Sequence, residues 1–331
     1  MAEPRWREIA GPVGRLAPGP RNSITDVPGV RVGHAQAASG ERTGVTVVAP
    51  PSLPAPAGAA TITGMGELTG KLEIEERGTI ETPVYLCGTH AVGTVFHAAV
   101  MASGRGPDDV VIPVVGECDP SSWCDVRDGP EPDDALVARA LDTAAGGSVE
   151  EGQVGAGVGM ETFGFAGGIG TASRVVGGHT LGVLVLSNFG LTERFVLCGR
   201  PVGIELAGET ASSGEGSCIC LVATDAPLLP HQLRRLARRP FLGLGRTGSH
   251  GSHGSGEISF AWTTANLMAR DETAEARDVR MLRDDLLSLL FAACAEAAEE
   301  AVLNALCAGR DLRGYDGQVL RRFPAERFAV T

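Results

Sequence analysis

Five apolar runs of strand length are spread through the chain: "GVRVGHA" (29–35), "GVTVVAP" (44–50), "DDVVIPVVGE" (108–117), "TLGVLVLSNFG" (180–190) and "SCICLVATD" (217–225). Each is rich in β-branched or apolar residues and bounded by Gly, Pro, Asn or Asp, so each reads as a strand buried on at least one face. Between them lie segments with helical apolar spacing: 89–104 and 133–147, closed by glycine, and 229–240, which ends before a proline. Strand and helix signals alternate with no internal repeat and no break in composition. The simplest architecture is one α/β domain, residues 1–331, with two packed sheets.

The longest helical signal is "DDLLSLLFAACAEAAEEAVLNALCAGR", from residue 284. Asp284 or Asp285 is placed to cap its start and Gly309 to end it. Leu287, Phe291, Cys294, Ala298, Ala301 and Ala305 form an apolar stripe that should pack on a sheet. The Pro/Ala-rich piece "APPSLPAPAGAATITG" (49–64) reads as a surface loop, and Arg234, Arg235, Arg238 and Arg239 as a solvated helix face. In the Gly-rich run 154–174, Gly155, Gly157 and Gly159 give G-x-G-x-G, but the last glycine is misplaced for a dinucleotide fingerprint. Tight turns or close backbone packing are expected there instead of a cofactor.

Charge and composition narrow the function classes. A formal net charge of −12 gives no general attraction for nucleic acid or anionic membrane. No stretch approaches the length of uncharged apolar sequence that crosses a bilayer, and the charged start "MAEPRWREIAGPVGRLAPGP" lacks the apolar core of a secretory signal. A cytoplasmic protein is expected. The eight cysteines, mostly inside apolar runs, suit buried reduced thiols, and Cys118 and Cys124 lack the spacing and companions of a metal site. Lys71 is the only lysine and sits in the charged stretch "GKLEIEERG", which leaves no evident residue for Schiff-base chemistry. No metal and no cofactor are expected.

The stretch "RTGSHGSHGSGEISFAWTTAN" (246–266) is the most informative for chemistry. Its Gly/Ser composition is that of a linker, yet it runs straight into an alternating strand pattern that places Ser255 at or just before the first strand residue. Such an arm entering a buried strand is also what a self-cleaving hydrolase needs. Ser255 Oγ would attack the Gly254 carbonyl, an N-to-O acyl shift would give an ester, and water would release a chain beginning at Ser255. The freed α-amine, with an intrinsic pKa of about 7.7–8.0, would then serve as base for its own hydroxyl.

"NSITDVPGVRVGHA" (22–35), "GTIETPVYLCGTHAVGTV" (78–95), "PVVGEC" (113–118), "EEGQVGAGVGM" (150–160), "GGIGTASR" (167–174), "GVLVLSNFG" (182–190), "DAPLLPHQLRRLARRPFLGLGRTGS" (225–249), "GSGEISFAWTTAN" (254–266) and "EEAVLNAL" (299–306) follow one another along nearly the whole chain. Together they resemble the L-aminopeptidase/D-esterase and β-peptidyl aminopeptidase family, the DmpA-like N-terminal-nucleophile hydrolases. That resemblance implies a four-layer α/β/β/α sandwich shared with ornithine acetyltransferase. It also implies self-cleavage into a large chain 1–254 and a small chain 255–331, and a homo-oligomer, typically a tetramer of cleaved units.

It further implies roles. Ser255 matches the nucleophile, Asn188 the donor to the oxyanion, and Glu117 the acid that receives the free amine of a small peptide or amide substrate. Glu299 or Glu300 matches the carboxylate that orients the nucleophile's hydrogen bonds. Helical geometry puts Glu296, Glu300 and Asn304 on one face and Glu299 roughly 100° away, so only one of the paired glutamates is expected at the site. The chain departs from the family pattern at Ala297 and Ala298, where a hydroxyl residue is common, at Ala166 in place of a lysine, at Cys124 in place of an asparagine, and in "AWTT" (261–264). Trp123 and Trp262 are therefore candidates for reshaping the substrate pocket. Two other activities fit the same residues: acyl transfer or ligation from the same acyl-enzyme, and an uncleaved binding protein that keeps the fold.

Overall fold

A computed structural model describes residues 4–37, 43–106, 108–125, 132–210, 216–270 and 273–329; the outer ends of the two expected chains, 1–3 and 330–331, lie outside them. In chain order its strands are β1 (Arg31–Gln36), β2 (Gly44–Ala49), β3 (Ala55–Thr61), β4 (Thr79–Ile80), β5 (Val84–Gly88), β6 (Val114–Cys118), β7 (Glu161–Thr162), β8 (Phe165–Ala166), β9 (Gly168–Val176), β10 (His179–Asn188), β11 (Ser217–Thr224), β12 (Gly256–Thr263), β13 (Leu312–Arg313) and β14 (Val319–Leu320). Its α-helices are α1 (Trp6–Ala10), α2 (Lys71–Arg77), α3 (Val92–Ala102), α4 (Asp134–Asp142), α5 (Gly203–Leu206), α6 (Pro230–Leu236), α7 (Pro240–Thr247) and α8 (Leu287–Ala308).

Two sheets carry the architecture. One has the order β1-β2-β5-β6 and the other β4-β3-β12-β11-β10-β9. Pairing is antiparallel except between β5 and β6 and between β11 and β12, which run parallel. Side-chain alternation explains how both faces of each sheet are filled. Along β11, Ile219, Leu221 and Ala223 join Val84 and Leu86 of β5 in a core between the sheets, while Cys218, Cys220 and Val222 turn toward α6, α7 and α8. The opposite face of the smaller sheet, with Val45, Val47, Tyr85 and Val115, packs on α3 and α4. The result is the four-layer α/β/β/α sandwich that the resemblance implied.

The expected surface loop at 49–64 instead contains a buried strand: β3 is buried from Ala55 to Ala60 and pairs with β12 inside the larger sheet. Small residues are there because α6 lies against them, and a Cβ on Gly58 would come within 2.3 Å of the Arg234 backbone nitrogen. The Gly-rich run behaves as close packing. A Cβ on Gly170 of β9 would sit 2.0 Å from the Ala301 carbonyl, so glycine lets α8 rest directly on the strand.

α8 also differs from a striped surface helix. Its residues 293–306 are buried almost all round, because the sheet, α7 and the N-terminal arm enclose it. Asp284 and Asp285 do not cap it: Leu286 is the N-cap residue, and Asp284 accepts from Gln232 Nε2 at 2.6 Å and pairs with Arg235 at 3.2 Å. The arginine run on and after α6 is only partly solvated, since Arg239 lies over the Phe291 ring at 3.9 Å.

Candidate active site

β12 begins at Gly256, and in its parallel register with β11 Gly256 is paired with Ser217. Ser255 therefore stands directly before a central strand, beside Gly216, and is 2% exposed. Its Oγ has two acceptors in reach, the Gly216 carbonyl and Glu257 Oε1, the latter at 2.8 Å. Glu257 is itself buried and collects further hydroxyls: Ser249 Oγ donates to Oε1 at 3.2 Å and Thr63 Oγ1 donates to Oε2. The Gly/Ser run after α7 is thus a turn folded against β12, with Ser255 N donating to the Ser252 carbonyl at 3.0 Å.

A cavity of about 260 Å³ opens beside Gly254, where the ends of β6 and β10 meet the start of β11. Glu117, Asp119, Glu161 and Asn188 line it, and no Lys, Arg or His does among the described residues. A smaller cavity holding Ser255, Ser249 and Glu257 shares Phe189, Gly190 and Gly216 with it, so the hydroxyl and the acidic cavity adjoin.

Glu117 lies on β6 and is 2% exposed. Its Oε1 accepts from the Glu67 backbone N–H at 2.7 Å and its Oε2 from Thr89 Oγ1. Burial pushes its pKa up against these two hydrogen bonds, and the neighbouring Asp119 and Glu67 charges push the same way. Asn188, the last residue of β10, accepts from the Glu161 N–H at 2.7 Å through Oδ1 and donates to the Asp119 carbonyl at 2.9 Å through Nδ2. One donation leaves the second Nδ2 hydrogen for the cavity. Trp123 stands behind the wall, where its Nε1 donates to Glu161 Oε2 at 2.7 Å.

Ser255, Gly254, Glu117 and Asn188 are thus brought together, with Trp123 one contact removed. Three other candidates are elsewhere. Trp262 is fully buried between the sheets at the far end of β12, stacked on Phe260 with ring centroids 5.3 Å apart. Glu299 faces Arg246 Nη1 at 3.3 Å, and burial raises its pKa despite that cation. Glu300 is fully buried and holds Arg174 at 2.7 Å, Arg7 at 2.8 Å and Asn22 Nδ2 at 2.6 Å. Burial opposes its charge, but the Arg7 hydrogen bond and the Arg174 charge outweigh burial and the pKa falls. Neither glutamate lines either cavity.

Sequence reasoning passed over Glu257, Asp119 and Glu161. The first two carried a usable signal, since in extended chain Glu257 falls on the same side as Ser255 and Asp119 on the same side as Glu117. Glu161 carried none.

A serine hydroxyl held at the mouth of a central strand, in a sandwich of two sheets between helical layers, defines an N-terminal-nucleophile-type serine hydrolase. The chain belongs to peptidase family S58, which matches residues 22–320. It is 42% identical to the β-peptidyl aminopeptidase BapA of Sphingosinicella microcystinivorans, over 97% of this chain and 90% of that protein. Among solved structures it is similar to a Burkholderia sp. β-aminopeptidase, with 40% identity, a TM-score of 0.90 and coverage of 98% of this chain and 97% of the other. The L-aminopeptidase D-Ala-esterase/amidase of Ochrobactrum anthropi, described as a prototype serine aminopeptidase on a variant Ntn-hydrolase fold, aligns with a TM-score of 0.90 at 38% identity, covering 98% and 97% of the two chains.

Proposed function

We propose that this protein is an autoprocessed serine aminopeptidase or amidase that hydrolyses short peptides or amides bearing a free N-terminal amine. The observation that carries this reading is the pairing of Ser255 with an acidic cavity whose Glu117 is held, among the described residues, by neutral donors. A substrate ammonium supplies the counter-charge that Glu117 lacks, and a charge-assisted hydrogen bond fixes the amine end. The scissile carbonyl then lies toward Ser255, with Asn188 Nδ2 as donor to the developing oxyanion. After cleavage between Gly254 and Ser255, the new α-amine takes the hydroxyl proton and passes it to the departing substrate amine as the scissile C–N bond breaks and the acyl-enzyme forms; water then resolves it. The names of the relatives, an L-aminopeptidase with esterase and amidase activity and β-peptidyl aminopeptidases, agree with a substrate of this class. We place the enzyme in the cytoplasm as a homo-oligomer, a tetramer of cleaved units.

Mass measurement of the denatured protein tests the scheme. Two chains are expected, the smaller starting Ser-Gly-Glu-Ile, and Ser255→Ala should leave one chain and cut turnover of short amino-acid amides by at least about 10⁴-fold. A single stable wild-type chain, or undiminished turnover by S255A, would sink it.

A further inference from the structure

The proposed mature enzyme uses the α-amine of Ser255 as its base, but the uncut chain has no such amine. Before cleavage the nitrogen of Ser255 is an amide, which carries no basic lone pair, and another group has to take the hydroxyl proton. The intact chain shows one. Glu257 Oε1 is 2.8 Å from Ser255 Oγ, and both residues are almost fully buried, at 3% and 2% exposure. Ser249 Oγ and Thr63 Oγ1 fix the carboxylate from its other sides, and the Glu257 N–H donates to Thr63 Oγ1 at 3.1 Å. No histidine contacts Ser255 Oγ among the described residues; His250 Nε2 is engaged with Ser252 Oγ at 3.2 Å.

We infer that Glu257 is the general base of self-cleavage, a catalytic residue for maturation distinct from the base used in turnover. This rests on the proposed autoprocessing. Ser255 Oγ attacks the Gly254 carbonyl carbon as its proton passes to Glu257 Oε1. The cyclic tetrahedral intermediate collapses with loss of the C–N bond, and the departing nitrogen takes the proton back from Glu257. That leaves an ester between Gly254 and Ser255 Oγ and a free amine on Ser255. Water then splits the ester, giving the Gly254 carboxylate and a free hydroxyl, with the released proton taken up by the new Ser255 amine. Glu257 starts and ends ionised, so no other co-reactant is needed.

Its test is the rate of precursor cleavage, read by intact mass during cell-free synthesis of the full chain. Glu257→Gln, nearly isosteric, should slow cleavage by on the order of 10²- to 10⁴-fold. The wild-type rate should fall on acidification as the base is protonated, and that acid limb should vanish in E257Q. Ser249→Ala, which removes a donor to the same oxygen but not the base, should slow cleavage far less than E257Q and keep the limb. Thermal melting beside the uncut S255A precursor shows whether E257Q is folded. A folded E257Q that cuts at the wild-type rate overturns the inference, whereas failure of the wild-type chain to cut at 254–255 overturns the autoprocessing reading itself. Should E257Q not fold, Glu257→Asp decides: slower cleavage with the acid limb retained upholds the base, and an unchanged rate refutes it.

Discussion

Glu117 and Glu300 are both buried glutamates, yet their surroundings are opposite. Glu117, at the strand ends, is held by a backbone N–H and a threonine hydroxyl, and burial drives its pKa up. Glu300, on α8 facing β9, is held by Arg174, Arg7 and Asn22, and its pKa goes down. Neutral donors fix a carboxylate in place while leaving its charge to be matched by something else. Guanidinium partners use that charge within the fold. The first arrangement belongs to a binding site and the second to a clasp, here joining the arm at Arg7 and strand β9 to the helix of the prospective small chain.

Breaking the clasp should have the largest effect on stability. Glu300→Gln strands Arg174 partly unpaired in the interior and should cost about 3–5 kcal/mol, read as a fall in the urea midpoint. Asn188→Ala should instead act on the chemistry, lowering kcat by on the order of 10²–10³ as an oxyanion donor is lost. Glu117→Gln should leave the urea midpoint nearly unmoved but raise KM for a free-amine substrate by about 10- to 100-fold, in line with about 1.5–3 kcal/mol for a hydrogen bond to a charged group. An equal loss of stability in E117Q and E300Q would erase the distinction between the two sites.

The smallest effect is in pH, and its sign differs between the sites. Because the Glu117 pKa is raised above the ordinary glutamate value of 4.5, its carboxylate is lost early on acidification, and affinity for the amine should fall while the protein is still folded. The depressed Glu300 pKa contributes stability that is present above 4.5 and is lost as the pH falls through the lower folded-state value. Substrate affinity and melting temperature measured down the same acid series should therefore separate, affinity failing first.

The apolar runs made the sheets legible, because alternation and β-branching are local properties. β11 falls within a run read from sequence, and β10 begins one residue ahead of its run. β3 was hidden because alanine and glycine have weak strand preference, and the strand owes its place to β12 and α6 on either side. α7, in "PFLGLGRT", was hidden by two glycines that the close approach of α8 explains at Gly243. At the site, Ser255, Asn188 and Glu117 were picked out by resemblance and lie together. The paired glutamates of α8 show the limit of helical geometry, which separates Glu299 from Glu300 by angle but does not say what stands opposite either one.

Around Ser255 Oγ and its partner Glu257, Ser249 is a near neighbour in sequence, but Thr63, which follows β3, and Gly216, which precedes β11, come from distant parts of the chain. They meet only after those elements have paired and docked. A nascent or misassembled chain therefore has an ordinary serine in an ordinary peptide bond. Under the proposed scheme the cut is a timestamp of correct assembly, and the proportion of nicked molecules in a preparation counts those that have folded.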